Sequence, residues 1–131
     1  MVQLGSILRV SDKTGVVLVR CIGVLGTSKK KIAKIGGVIL VSVQKVDIPR
    51  IKRLKPRLQR KYGLGTLHRA LVIRAKSNYC RSPGVFIKFD ENAVLLVTKR
   101  VVPLANRSFG PILKEFCMRW PSIGCISRLI F

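Results

Sequence analysis

Seven basic side chains fall within twelve residues, Arg50, Lys52, Arg53, Lys55, Arg57, Arg60 and Lys61. Cations at this density neutralise phosphates, releasing counterions and giving strong, salt-dependent affinity that ignores sequence. No acid interrupts the chain from Ile48 to Phe89. Further cations that could reach phosphates are Arg9, Lys29, Lys30, Lys31, Lys34, Arg69, Arg74, Lys76, Arg81 and Lys88. Tyr62, at the end of the basic stretch, could stack on a base. Aromatics are only 6% of the chain, fewer than a stacking platform for single strands wants. Phosphate and shape contacts should therefore dominate.

Catalytic chemistry finds little support. The five carboxylates, Asp12, Asp47, Asp90, Glu91 and Glu115, are scattered. Asp12 and Asp90 stand in turn sequences, where Asp serves local hydrogen bonding. Adjacent Asp90 and Glu91 would point to different sides and make a poor acid–base pair. His68 is the single histidine and has no metal-binding partner at ligand spacing. Cys21, Cys80, Cys117 and Cys125 form no C-x-x-C pair and read as buried free thiols of a reducing compartment. Gly63-Leu64-Gly65-Thr66-Leu67-His68 opens like a dinucleotide loop but lacks the third glycine and follows a basic arm, not a strand. No catalytic residue, metal or cofactor is expected.

The elements that must carry these residues are mostly strands. The 131 residues suit one domain with one modest core. Apolar residues are 48% of the chain and mean hydropathy is +0.31, which excludes disorder. The net charge of +21 and pI near 11.2 exclude an ordinary acidic enzyme and call for a polyanion. The longest stretch without a charged side chain, Ile35 to Gln44, is ten residues, too short to span a membrane. No secretory signal or transit peptide is visible.

Strands are predicted at Ile7–Val10, Val16–Leu25, Val38–Val43, Ala70–Ala75, Val85–Phe89 and Ala93–Thr98. Turns fall at Asp12–Gly15, Gly26–Ser28, Gly36–Gly37, Ser82–Gly84 and Asp90–Asn92. Many short, closely spaced strands suggest a small closed barrel, over about 1–102. Pro56 interrupts the basic stretch 50–61, which reads as an extended arm. Pro111 suits the first position of a helix over Ile112–Arg119, limited by Pro121 and Gly124, within a tail 109–131. Phe116 and Trp120 share a face of that helix, as core or as a partner surface. The last residues, Cys125 to Phe131, are apolar and should pack on the barrel or a partner.

Four stretches together resemble the universal large-subunit ribosomal protein family numbered fourteen. They are Leu8-Arg9-Val10-Ser11-Asp12-Lys13-Thr14-Gly15, Cys21-Ile22-Gly23-Val24-Leu25-Gly26, Ala70–Arg74 through Phe89-Asp90-Glu91-Asn92-Ala93, and Arg107-Ser108-Phe109-Gly110-Pro111 with Lys114-Glu115-Phe116. Their order is kept over nearly the whole chain. The chain departs from the family at Pro83, at Gly36-Gly37 and in the longer basic stretch after Arg50, and its tail after Phe116 matches poorly.

The resemblance implies a mainly β protein, a five-stranded closed barrel with a short helical C-terminal segment. It implies a non-enzymatic constituent of the large ribosomal subunit that binds its RNA and helps bridge to small-subunit RNA. Large-subunit proteins three and nineteen would be neighbours, and a ribosome-silencing factor would dock near Asn106 and Arg107. The divergence, the richness in Ile, Val and Leu and the few acids resemble a mitochondrially encoded copy in the matrix, the alternatives being bacterial cytoplasm or a plastid. The residues alone also admit a free barrel acting on transfer RNA or single strands. A peripheral membrane protein is the third reading, though Pro56 breaks its best amphipathic helix.

Overall fold

Along Ile7–Val10 and Val38–Val43 every second side chain is buried, the period of a strand with one face on a core. A computed structural model describes residues 1–26, 31–82 and 84–131. The chain runs through β1 (Val2–Gln3), β2 (Ile7–Val10), β3 (Val16–Val24), β4 (Ile32–Ala33), β5 (Val38–Val46), α1 (Ile48–Lys52) and α2 (Pro56–Lys61). It continues through β6 (Leu67–Arg74), β7 (Tyr79–Arg81), β8 (Val85–Ile87), β9 (Ala93–Val97), β10 (Pro111–Ile112), α3 (Lys114–Arg119), α4 (Pro121–Ile126) and β11 (Leu129–Ile130).

Five strands close a barrel in the order β2-β3-β5-β6-β9. All neighbours are antiparallel except the closing pair, where Arg9 and Val10 of β2 lie beside Ala93 and Val94 of β9. Leu8, Val19, Ile39, Val41, Ala70, Val72, Val94 and Leu96 belong to one buried cluster. Register shifts between β3 and β5 mark the bulges that bend long strands around it.

Strand β9, and β6 from Ala70 onward, are buried on both faces. Leu71, Ile73 and Leu95 belong to a second cluster with Ile87, Ile112, Leu113, Phe116 and Ile123. Double burial is why Ala70–Ile73 and Ala93–Val97 read as unbroken apolar runs rather than alternating ones. The expected strand after Ser82 exists as β8, but it pairs with β7 in a hairpin outside the barrel.

The predicted helix start at Pro111 is wrong. Pro111 and Ile112 are extended and pair in parallel with Leu129 and Ile130. The Arg74 guanidinium holds the Pro111 carbonyl at 3.2 Å, and the Phe131 amide holds that of Ile112 at 2.8 Å. Both acceptors are thus withdrawn from a helical ladder, and α3 begins at Lys114. It ends at Trp120, whose extended backbone precedes Pro121, and Pro121 then starts α4. Cys21 is buried as expected, but Cys80 and Cys125 are exposed and Cys117 is half-buried, since three of the four lie outside the barrel. No helix of the described residues is long and apolar enough to cross a membrane.

Candidate nucleic-acid interface

The turn after β2 seats the basic arm. Asp12 Oδ1 accepts hydrogen bonds from the Thr14 amide at 3.0 Å and from the Thr14 hydroxyl, and its Oδ2 accepts the Leu96 amide at 3.1 Å. Burial pushes the Asp12 carboxyl upward, and these hydrogen bonds oppose it. Gly15 has φ +91°, and a Cβ there would stand 3.0 Å from Ile51 Cγ1. Only glycine lets α1 approach this closely. The Asp47 amide then donates to the Gly15 carbonyl at 2.8 Å.

The arm is not extended. It folds into α1 and α2, each with a proline in its first turn; Pro56 does interrupt the helix, as expected, but by starting a second one. Ile51, Leu54 and Leu58 pack on the barrel cluster, and Tyr62 is buried in it. Gln59 Nε2 donates to the Leu54 carbonyl at 2.8 Å and the Lys52 carbonyl at 3.2 Å, tying the two helices together. Lys52, Arg53, Lys55, Arg57, Arg60 and Lys61 are left exposed on the outer side. Arg50 is exposed too but pairs with Asp47 at 3.0 Å. The barrel thus covers the apolar side of the two helices formed by Ile51, Leu54 and Leu58. Tyr62 offers no free ring face, and burial raises its hydroxyl pKa. His68 Nε2 meets the Lys61 carbonyl at 2.8 Å, and burial lowers its pKa.

Arg9, Lys31, Lys34, Lys76 and Lys88 are exposed, Arg69 is half-buried, and Lys29 and Lys30 lie outside the described residues. Two expected contacts are spent inside the fold. Arg74 is only 4% exposed. Its guanidinium donates to the Ser11 hydroxyl, to Glu91 Oε1 at 2.7 Å and to the Phe109 carbonyl at 2.9 Å. Arg81 forks onto both Glu115 oxygens and reaches the Phe131 carbonyl at 2.8 Å, and its hydrogen bonds hold the Glu115 carboxyl below its usual range. Asn106 and Arg107 are exposed. Phe116 is buried under Trp120, their stacked rings 5.7 Å apart, so it belongs to the core. Arg119 covers the Trp120 ring at 4.7 Å.

Two surface features escaped the sequence reading. Lys13, Arg20, Lys99 and Arg100 are exposed cations scattered too thinly to stand out. Phe109 is an exposed aromatic held in a turn, where no strand or helix periodicity could assign it a face. Among the described residues no group of His, Cys, Asp and Glu could hold a metal ion.

The closed barrel carries a folded arm whose outer side is basic. The family model described as ribosomal protein L14p/L23e matches residues 1–131, the whole chain. The chain therefore belongs to the L14p/L23e family, whose place is the large ribosomal subunit with ribosomal RNA and ribosomal proteins as partners, and its role there is structural and not enzymatic.

Proposed function

We propose that this chain binds large-subunit RNA directly, with α1 and α2 as its principal phosphate-binding surface. One observation carries the reading. Lys52, Arg53, Lys55, Arg57, Arg60 and Lys61 project from a folded unit, and among the described residues none has a carboxylate in ion-pairing range. Because the arm is already folded on Ile51, Leu54 and Leu58, little ordering entropy is lost on contact. Arg9, Lys31, Lys34, Lys76 and Lys88 extend the surface around the barrel loops.

The arm reaches small-subunit RNA at an inter-subunit bridge, with large-subunit proteins three and nineteen as neighbours. Exposed Asn106 and Arg107 form part of the surface for a silencing factor. The ribosome in question is mitochondrial, a reading supported by the aliphatic, acid-poor composition.

Replacing the six arm cations by Gln tests the reading. Each neutralised phosphate contributes about 0.7–0.9 to the salt slope, so the variant's RNA affinity should lose about four to five units of slope. On sucrose gradients the wild-type chain stays with the large subunit at high salt, and the variant yields fewer joined ribosomes. Unchanged profiles and an unchanged salt slope would overturn the arm's role. Recovery of the chain outside purified mitochondria would overturn the compartment.

A further inference from the structure

Phe109 is 49% exposed, and its backbone is held rigidly. Its amide donates to the Ser11 carbonyl at 2.7 Å, and its carbonyl accepts from Arg74 Nη1 at 2.9 Å and the Ser11 hydroxyl at 3.1 Å. Gly110 follows with φ +80°, and a Cβ there would come within 2.7 Å of Arg74 Nη1. The chain thus turns over a buried guanidinium and presents the ring from a backbone hydrogen-bonded through both its amide and its carbonyl.

A single exposed apolar side chain is ordinary. This one lines a concavity of about 420 Å³ together with Val16, Val17 and two exposed guanidiniums, Arg9 and Arg50, the latter also paired with Asp47 at 3.0 Å. Glu91 lines it too, but its carboxylate is engaged by Arg9 at 3.3 Å and Arg74 at 2.7 Å.

We propose that this concavity receives one unpaired nucleotide of the bound RNA, its base stacked on Phe109 and its phosphate between Arg9 and Arg50. The proposal rests on the RNA-binding reading above and adds the kind of contact made. In a duplex both faces of a base are covered by its neighbours, so a ring can stack only on an unstacked nucleotide. An acidic side chain of a protein would satisfy the guanidiniums and leave the ring idle. An apolar side chain would cover the ring and make no use of the guanidiniums. A nucleotide uses both, and stacking on an aromatic strengthens binding about 5- to 150-fold.

Short-wave ultraviolet irradiation of purified large subunits, followed by digestion and mass spectrometry, reads the contact directly. The expected result is a nucleotide adduct on Phe109 in the peptide 108–114. Phe109→Leu keeps the apolar volume without the π-face and should lose the adduct while the chain remains in the subunit. Phe109→Trp should retain it, and Arg9→Ala with Arg50→Ala should reduce its yield at least fivefold. Adducts on α1 and α2 with none at Phe109, or a protein crosslink at Phe109, would overturn the nucleotide site and leave the RNA-binding reading intact. Absence of nucleotide adducts from the arm and from Phe109 alike would count against both.

Discussion

Replacing Arg74 by Met removes the charge and keeps most of the buried stem. Four hydrogen-bonding partners lose their donor: the Ser11 hydroxyl, Glu91, and the carbonyls of Phe109 and Pro111. Charge-assisted hydrogen bonds are worth about 1.5–3 kcal/mol each, but that sum is not the net loss. Burying a guanidinium is costly in the first place, and Met recovers apolar burial. Glu91 is 39% exposed and keeps Arg9, so it rehydrates easily. The Phe109 carbonyl keeps the Ser11 hydroxyl. What remains is an under-satisfied Pro111 carbonyl, a loosened β10 and a turn at Phe109 without its anchor. The net loss should be about 2–4 kcal/mol, a fall in melting temperature of about 6–16 °C for a domain of this size. Thermal unfolding of the full chain followed by far-ultraviolet circular dichroism measures it. Hydrogen exchange at the Phe109 amide should speed up in parallel, because its acceptor is on Ser11, the residue Arg74 holds. A shift below about 3 °C, with unchanged exchange at Phe109, would refute the assignment of Arg74 as an internal clamp. A loss of RNA affinity at unchanged melting temperature would return it to the contact surface.

Gly15→Ala forces a side chain into φ +91° and against Ile51, which should cost about 2–3 kcal/mol and speed tryptic cleavage within 50–61; unchanged cleavage would mean the arm is not seated there. In the folded chain Cys80 and Cys125 should react with a maleimide before Cys117, and Cys21 only on unfolding, because Cys21 is buried and burial pushes its thiol up; labelling of Cys21 in step with Cys80 would contradict the fold. The folded-state pKa of His68 lies below 6.5, so the unfolded chain binds a proton first. The His68 contribution to stability is therefore complete above pH 6.5 and is lost as pH falls through that value toward the folded pKa. His68→Gln should flatten denaturant midpoints across this window, and an equally steep variant would exclude His68 as the cause.

The barrel was legible because β3 and β5 are rich in β-branched residues and short turn sequences separate the strands. The unbroken runs of β6 and β9 were legible as strands, but which elements cover their second face depends on the tail. The arm was misread because its charges dominate the eye. Its apolar residues, Ile51, Leu54, Leu58 and Tyr62, recur at steps of three and four, the spacing of a helical face. That signal was present, and Pro56 marked a helix start as readily as a break. Arg74 could not be placed from sequence. It ends β6, where the pairing with β9 shifts register between Val72 and Arg74, and one residue of slip decides which way a strand side chain faces.

The fate of the acids explains why the surface of this chain is so one-sided. Asp12 is consumed by its own turn and by the Leu96 amide. Asp47 takes Arg50, Glu91 takes Arg9 and Arg74, and Glu115 takes Arg81. Each of these four carboxylates pins a turn, a helix start or the tail to the barrel, and of the five only Asp90 stands exposed without a partner among the described residues. A surface acid facing the arm would add little to folding, because an exposed ion pair is worth well under about 1 kcal/mol. It would also shield a cation from phosphate. Apart from Arg9 and Arg50, the exposed lysines and arginines of the described residues have no carboxylate in range, and a polyanion would relieve their mutual repulsion. The same residue type thus serves two ends: a guanidinium drawn into the fold onto a carboxylate, as Arg74 and Arg81 are, builds the mount, and the exposed ones, Arg9 and Arg50 included, keep the outer surface basic.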